Sequence, residues 1–142
     1  MNFAPKRCVI APVELADDHL DGIRTALGLV EDRANVHVLH ALPYVETLAP
    51  GVVWAGPDDG ARRAYVEKHL GDRLIEEGLD GVTMHVRFGD PAKAVAEIAK
   101  ELGAELVVLP SHGRKGLSHF LIGSVAERIV RFAPCPVLVL KG

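Results

Sequence analysis

Leu106-Val107-Val108-Leu109-Pro110-Ser111-His112-Gly113-Arg114-Lys115-Gly116-Leu117-Ser118-His119-Phe120-Leu121-Ile122-Gly123-Ser124 is the stretch that decides the architecture. Its first four residues are apolar without interruption, so neither face of the strand they form is suited to water. A strand covered on both faces belongs in a parallel sheet, and helices must supply the cover. The remainder, from Pro110 to Ser124, has glycines at 113, 116 and 123 and cations at 114 and 115, and it ends where a helix can begin.

The same rhythm extends in both directions. Arg7 to Pro12 is a short β-compatible run stopped by a proline, and from Asp18 onward Leu20, Ile23, Leu27 and Val30 recur at helical spacing. Asn35 to Leu42 predicts a second strand, and Ala61 to Leu79 a second helix with Val66, Leu70 and Leu74 on one face. Val82 to Phe88 is a third strand. Gly89-Asp90-Pro91 then reads as a turn, an N-cap and a proline at the first helical position. Val95, Ile98, Ala99 and Leu102 form the core face of a third helix, which Gly103 terminates. A fourth helix starts near Ser124 with Val125, Ile129 and Phe132 inward, Pro134 and Pro136 stop it, and Val137 to Leu140 is a fifth strand. Five strands alternating with four helices imply an α/β fold, a doubly wound open parallel sheet in one domain over residues 1–142. The long segment from Pro43 to Gly60, with Leu48, Val52, Val53 and Trp54, is expected to close over the sheet edge or the adjacent helix.

Composition narrows the function. At 49% hydrophobic and 25% charged the 142-residue chain is globular, and its formal net charge of -3 gives no general attraction for nucleic acid or anionic lipid. No run approaches the roughly 20 apolar residues that span a bilayer, and no signal-peptide pattern opens the chain, so the expected address is the cytoplasm. Cys8 and Cys135 lack the close spacing of a redox or zinc motif and are expected as buried thiols.

Ligands of doubly wound sheets bind beyond the carboxyl ends of the strands, where the winding reverses. That places the chemistry after the first and fourth strands. The loop Pro12-Val13-Glu14-Leu15-Ala16-Asp17-Asp18 has neither a dinucleotide fingerprint nor a P-loop lysine. Asp17 and Asp18 suit the start of the following helix, which leaves Glu14 to accept hydrogen bonds from a ligand such as ribose. In Pro110 to Ser124, amides freed by glycine and a helix N-terminus make an anion cradle. Ser124 and Glu127 are also spaced as a capping box, which competes for the Ser124 hydroxyl. Arg114 and Lys115 either screen phosphate or solvate a loop tip, and His112 and His119 are given no role.

These residues resemble the universal stress protein family over nearly the whole chain. The resemblance rests on Ala11-Pro12-Val13, Gly89-Asp90-Pro91, Ser111-His112-Gly113-Arg114, Gly123-Ser124-Val125 and Pro134-Cys135-Pro136-Val137-Leu138-Val139. It implies the strand order 3-2-1-4-5 of adenine-nucleotide α-hydrolase-like folds, homodimers paired through the last strand Val137 to Leu140, and bound ATP in one branch. That branch has a pattern of glycine, two residues, glycine, nine residues, glycine, then serine or threonine. Gly113, Gly123 and Ser124 match it, whereas Pro110 stands at the first glycine, and Glu14 stands where ATP binders commonly have aspartate. By the same resemblance Pro12, Val13 and Ala41 line an adenine pocket with Leu109 and Pro110 as its wall. Glu14 meets the ribose, and Gly113, Arg114, Gly123, Ser124 and Val125 meet the phosphates, with Mg2+ carried by the nucleotide.

Three functions compete at this stage. The first is an ATP-binding regulatory dimer with an unidentified protein partner and little or no turnover, slow hydrolysis remaining open. The second is a dimeric interaction module that has lost the nucleotide, with Pro110 as the sign of loss. The third is a phospho-acceptor receiver domain, against which the glycine-rich fourth loop speaks.

Overall fold

The computed structural model describes residues 5–14, 20–44, 59–111 and 123–141. Along them run β1 (Val9–Pro12), α1 (Asp21–Leu27), β2 (Val36–Leu42), α2 (Asp59–Glu76), β3 (Thr83–Phe88), α3 (Pro91–Leu102), β4 (Leu106–Pro110), α4 (Ser124–Phe132) and β5 (Val137–Leu140). All strand pairs are parallel, in the order β3-β2-β1-β4-β5, the open doubly wound sheet that the pattern predicts.

Alternation along the strands divides the core into two layers. Val9 and Ala11 of β1, with Leu106 and Val108 of β4, pack against Ile23 and Ala26 of α1 and Leu70 and Leu74 of α2. Ile10, Val107 and Leu109 pack on the other side against Val95 and Ile98 of α3 and Ile129 of α4. Leu106, Val107 and Val108 are each fully buried, which is why that run carries no polar residue. Each large aliphatic so covered is worth about 1.5–3 kcal/mol.

Helix ends follow local chemistry where a cap is available. Asp90 accepts the amide of Lys93 at 3.0 Å, Pro91 opens α3, and Gly103 ends it in the left-handed conformation at φ 64°. At α1 the N-cap is Leu20, without a side-chain cap bond, and Asp17 and Asp18 lie outside the described residues. The helix stops at Leu27, so Val30 is not on its stripe. Val30 instead makes an isolated parallel bridge with Lys6, whose amide bonds the carbonyl of Leu29 at 2.8 Å. The α2 helix ends at Glu76, and Leu79 is buried beyond it with its amide on the Leu74 carbonyl at 2.7 Å.

Three residues expected inward are not. Leu102 is 40% exposed, Val125 36% and Phe132 55%. In α4 the inward positions are Ala126 and Ile129, so the buried stripe is turned from the expected one. The cause is position: α4 covers the end of its layer, where β5 is an edge strand and offers too little sheet to bury the whole apolar stripe. Of the segment from Pro43 to Gly60, residues 45–58 lie outside the described residues.

Arg128 of α4 grips Asp90 with both terminal guanidinium nitrogens, at 2.6 and 2.8 Å, and so ties α4 to the start of α3. Hydrogen bonds from Arg128, helped by the Lys93 amide and opposed by desolvation, hold the Asp90 carboxyl below its ordinary value of 3.8. A carboxyl lowered in the folded state adds stability that is present above 3.8 and is lost as pH falls through the lower folded value. Asp90→Asn, which can still cap, therefore loses less stability than the parent protein when urea melts at pH 7 are compared with melts below 3.8. Asp90→Ala loses about 1 kcal/mol for the cap as well. Parallel losses in parent and Asp90→Asn would contradict the assignment.

Candidate functional site

The central strands separate before they end. β1 and β4 share only the pairs Val9↔Leu106 and Ile10↔Val107. β1 continues along β2 to Pro12↔Leu39, with the Val13 amide on the Leu39 carbonyl at 2.9 Å. β4 continues along β5 to Pro110↔Leu140, with the Ser111 amide on the Leu140 carbonyl at 3.0 Å. A cavity of about 300 Å³ opens at this parting, at the lower end of the range for small-molecule pockets. Pro12 of β1 and the two residues after it, Val13 and Glu14, line it, with Leu39 and Ala41 from β2 and Leu109 and Pro110 from β4. Pro91 and Val95 of α3 and Gly123, Ser124, Val125, Ala126 and Ile129 of α4 complete the wall.

Pro12, Val13, Glu14, Ala41, Leu109, Pro110, Gly123, Ser124 and Val125, all expected at one site, are thus brought together. Gly113 and Arg114 lie outside the described residues, as do Lys115, His112 and His119. Leu39, Pro91, Val95, Ala126 and Ile129 were not anticipated. The signal for Leu39 was parity with Ala41 along β2, and the signal for Val95 and Ile129 was their place on core-facing helical stripes.

The cavity has an apolar half and a polar end. Leu39, Ala41, Val95, Leu109 and Ile129 give it aliphatic surface, the kind that packs against the faces of a flat ring. At the other end stands the first turn of α4. Gly123 is its N-cap, with extended backbone at φ −62° and ψ 154°, and the first intrahelical bond runs from the Glu127 amide to the Gly123 carbonyl at 2.9 Å. Ser124 is therefore the first helical residue, not the cap, and the capping-box expectation is overturned. The Glu127 carboxylate pairs with Arg131 at 2.8 Å instead. This leaves the Ser124 hydroxyl outside the cap, on a residue that lines the cavity. The Gly123 amide is occupied, donating to the Ser111 carbonyl at 2.7 Å. The amides of Ser124, Val125 and Ala126 have no intrahelical acceptor, as in any first turn, and carry the positive end of the helix dipole.

Pro110 is tolerated for a visible reason. The amides of Val107 and Ser111 donate to Pro136, just before β5, and to Leu140 of β5, at 3.0 Å each, so by strand alternation the nitrogen of Pro110 faces the opposite side, toward β1. β1 has already parted from β4 there, and no ladder bond is lost. What proline removes is one donor facing the crevice.

No helix among the described residues is long and apolar enough to cross a membrane. Cys8, which is buried, and Cys135, which is half-buried, are free thiols, and burial raises the pKa of both. Among the described residues no cluster of three His, Cys, Asp or Glu side chains is placed to hold a metal.

Comparison with known proteins agrees with this geometry. The model of the universal stress protein family matches residues 7–141. Universal stress protein G of Shigella flexneri is 31% identical over 144 residues, covering 95% of this chain and 99% of the relative. A universal stress protein of Methanocaldococcus jannaschii is 30% identical over 148 residues, covering 94% of this chain and 81% of the relative. A universal stress protein E homolog of Haemophilus influenzae is 35% identical over 127 residues, 84% of this chain, and the match spans only 40% of that relative's length. Among solved structures, UspA from Lactobacillus plantarum superposes with a TM-score of 0.66 at 18% identity, over 96% of this chain and 99% of that one. A universal stress protein solved in complex with cAMP gives a TM-score of 0.62 at 20% identity, over 97% and 98%. At those identities the structures speak for the fold, and the sequence matches carry the assignment: this chain belongs to the universal stress protein family.

Proposed function

We propose that the chain binds an adenine nucleotide, ATP with Mg2+ carried by the nucleotide, in the crevice between β1 and β4. Its work is regulatory binding in the cytoplasm, as a homodimer that presents its nucleotide state to a protein partner. The observation that carries this reading is the meeting, in one cavity, of aliphatic side chains with the first turn of α4. A base fits between Val13, Ala41 and Leu109, beside Pro12 and Pro110. Glu14 stands at the mouth for the ribose hydroxyls. The phosphates reach the amides of Ser124 and Val125 and the Ser124 hydroxyl, next to Gly123, with Gly113 and Arg114 assigned there by family pattern alone. The relative solved with cAMP bears on this because cAMP and ATP share adenosine and an attached phosphate.

The lining supports the reading of binding with little or no turnover. Hydrolysis needs a group that aims water at the γ-phosphate, and among the described lining residues the one carboxylate is Glu14, at the ribose end.

Pro110 favours the competing reading of an interaction module without nucleotide, and calorimetry separates the two. The parent chain titrated with Mg-ATP is expected to bind, and Gly123→Val, which fills the phosphate end, to bind at least about tenfold more weakly, a loss of about 1.4 kcal/mol. Pro110→Ala restores a donor facing the crevice at no cost to the ladder and is expected to bind more tightly than the parent. Equal and negligible heats for parent and Gly123→Val would exclude the nucleotide reading.

The homodimer is proposed through β5. This apolar edge strand pairs with β4 on one side, and its Leu138 is 37% exposed. An apolar edge of this kind favours a partner strand. Sedimentation is expected to show a dimer that Leu138→Lys shifts toward monomer. A parent chain that is monomeric at the concentrations used for calorimetry would end this part of the proposal.

A further inference from the structure

His40 is a buried ring with no contact to the cavity. It is 8% exposed and lies near the end of β2. Along that strand Val36 and Val38 enter the layer beneath α1 and α2, whereas Leu39 and Ala41 belong to the layer that holds the cavity. His40 shares the parity of Val36 and Val38, so its ring stands behind the sheet, on the face away from the ligand. From there its Nδ1 reaches the carbonyl oxygen of Val13 at 2.9 Å. A carbonyl only accepts, so Nδ1 carries the proton in this contact.

That contact changes the ladder. The carbonyl of Leu39 accepts from Val13, so the polar backbone groups of Leu39 and Ala41 face β1; the carbonyl of Leu42 accepts from Gly89 at 2.7 Å and faces β3. An uninterrupted parallel ladder would next run from the Ala41 amide to the Val13 carbonyl. Here that carbonyl is turned to His40 instead, and among the described residues the Ala41 amide meets no acceptor. Ala41 lines the cavity.

We propose that His40 is a positioning residue of the nucleotide site: by holding the Val13 carbonyl from behind the sheet it ends the β1–β2 ladder one bond early and keeps the Ala41 amide open to the cavity as a donor. The acceptor it suits is a ring nitrogen of a heteroaromatic base, and in this the inference rests on the adenine-nucleotide reading. The same bond holds the strand end that carries Glu14, so one imidazole sets the spacing between the donor at Ala41 and the carboxylate at the mouth. Without the imidazole, the Val13 carbonyl is free to pair with Ala41 and close the donor.

The test combines amide hydrogen exchange at Ala41 with Mg-ATP affinity, in the full chain and in His40→Leu and His40→Asn. The asparagine amide nitrogen sits as many bonds from Cα as Nδ1 and can donate to Val13, whereas leucine cannot. In the parent without nucleotide the Ala41 amide exchanges readily, and Mg-ATP slows it. In His40→Leu the amide is already protected without nucleotide, and affinity falls about tenfold, the scale of one buried hydrogen bond. His40→Asn stays within about twofold of the parent, well inside the effect of losing such a bond. A protected Ala41 amide in the nucleotide-free parent overturns the proposal by itself, and that measurement needs no variant to fold. Unchanged affinity in His40→Leu, or an equal fall in both variants, overturns it too. If the parent binds no Mg-ATP, the nucleotide reading fails, and exchange at Ala41 in parent and His40→Leu still decides whether His40 diverts the ladder.

Discussion

β1 and β4 are held together by two register pairs, Val9↔Leu106 and Ile10↔Val107, and the rest of the molecule is arranged around the place where that pairing stops. Chain winding reverses there. α1 and α2 cover one face through β1 and β2, and α3 and α4 cover the other. Because each of the two central strands stays paired on its outer side after they part, the crevice opens without leaving either one as a free edge. The sheet remains closed behind the site, and the site is open in front.

The walls of the crevice are mostly backbone and aliphatic carbon, which suits a ligand held by shape and by amides more than by side-chain charge. Several small devices keep those walls in place. Arg128 clasps Asp90 across the α3–α4 wall. The Ser111 carbonyl holds the Gly123 amide and so fixes the start of α4 against the end of β4. His40 secures the Val13 carbonyl from behind. None of these groups needs to touch a ligand to decide where the ligand's partners stand.

Much of this was legible in the sequence because it depends on local chemistry. The unbroken run Leu106 to Leu109 could only be a strand covered twice, and Gly89-Asp90-Pro91 could only start a helix where it does. The expected site residues that are described, which leaves out Gly113 and Arg114, came together because strand ends at the reversal of winding converge whatever their side chains. What was not legible depends on long-range contacts. Val125 and Phe132 have the spacing of a core face, yet the edge of the sheet leaves them uncovered. Ser124 and Glu127 have the spacing of a capping box, yet Gly123 takes the cap because its amide is drawn to Ser111, far away along the chain. The parity that turns the nitrogen of Pro110 toward β1, where it costs no bond, is visible only once the register with β5 is known.

The most direct test of a nucleotide crevice at the parting of β1 and β4 is the amide correlation spectrum of the labelled chain during titration with Mg-ATP. The account predicts that the shifted resonances cluster at Val13, Glu14, Ala41 and Ser124 to Ala126, while those around His37 of β2 and His85 of β3, whose rings stack on each other, stay in place. Saturable shifts centred on β3 or the outer face of α2, with the crevice residues unmoved, would contradict it.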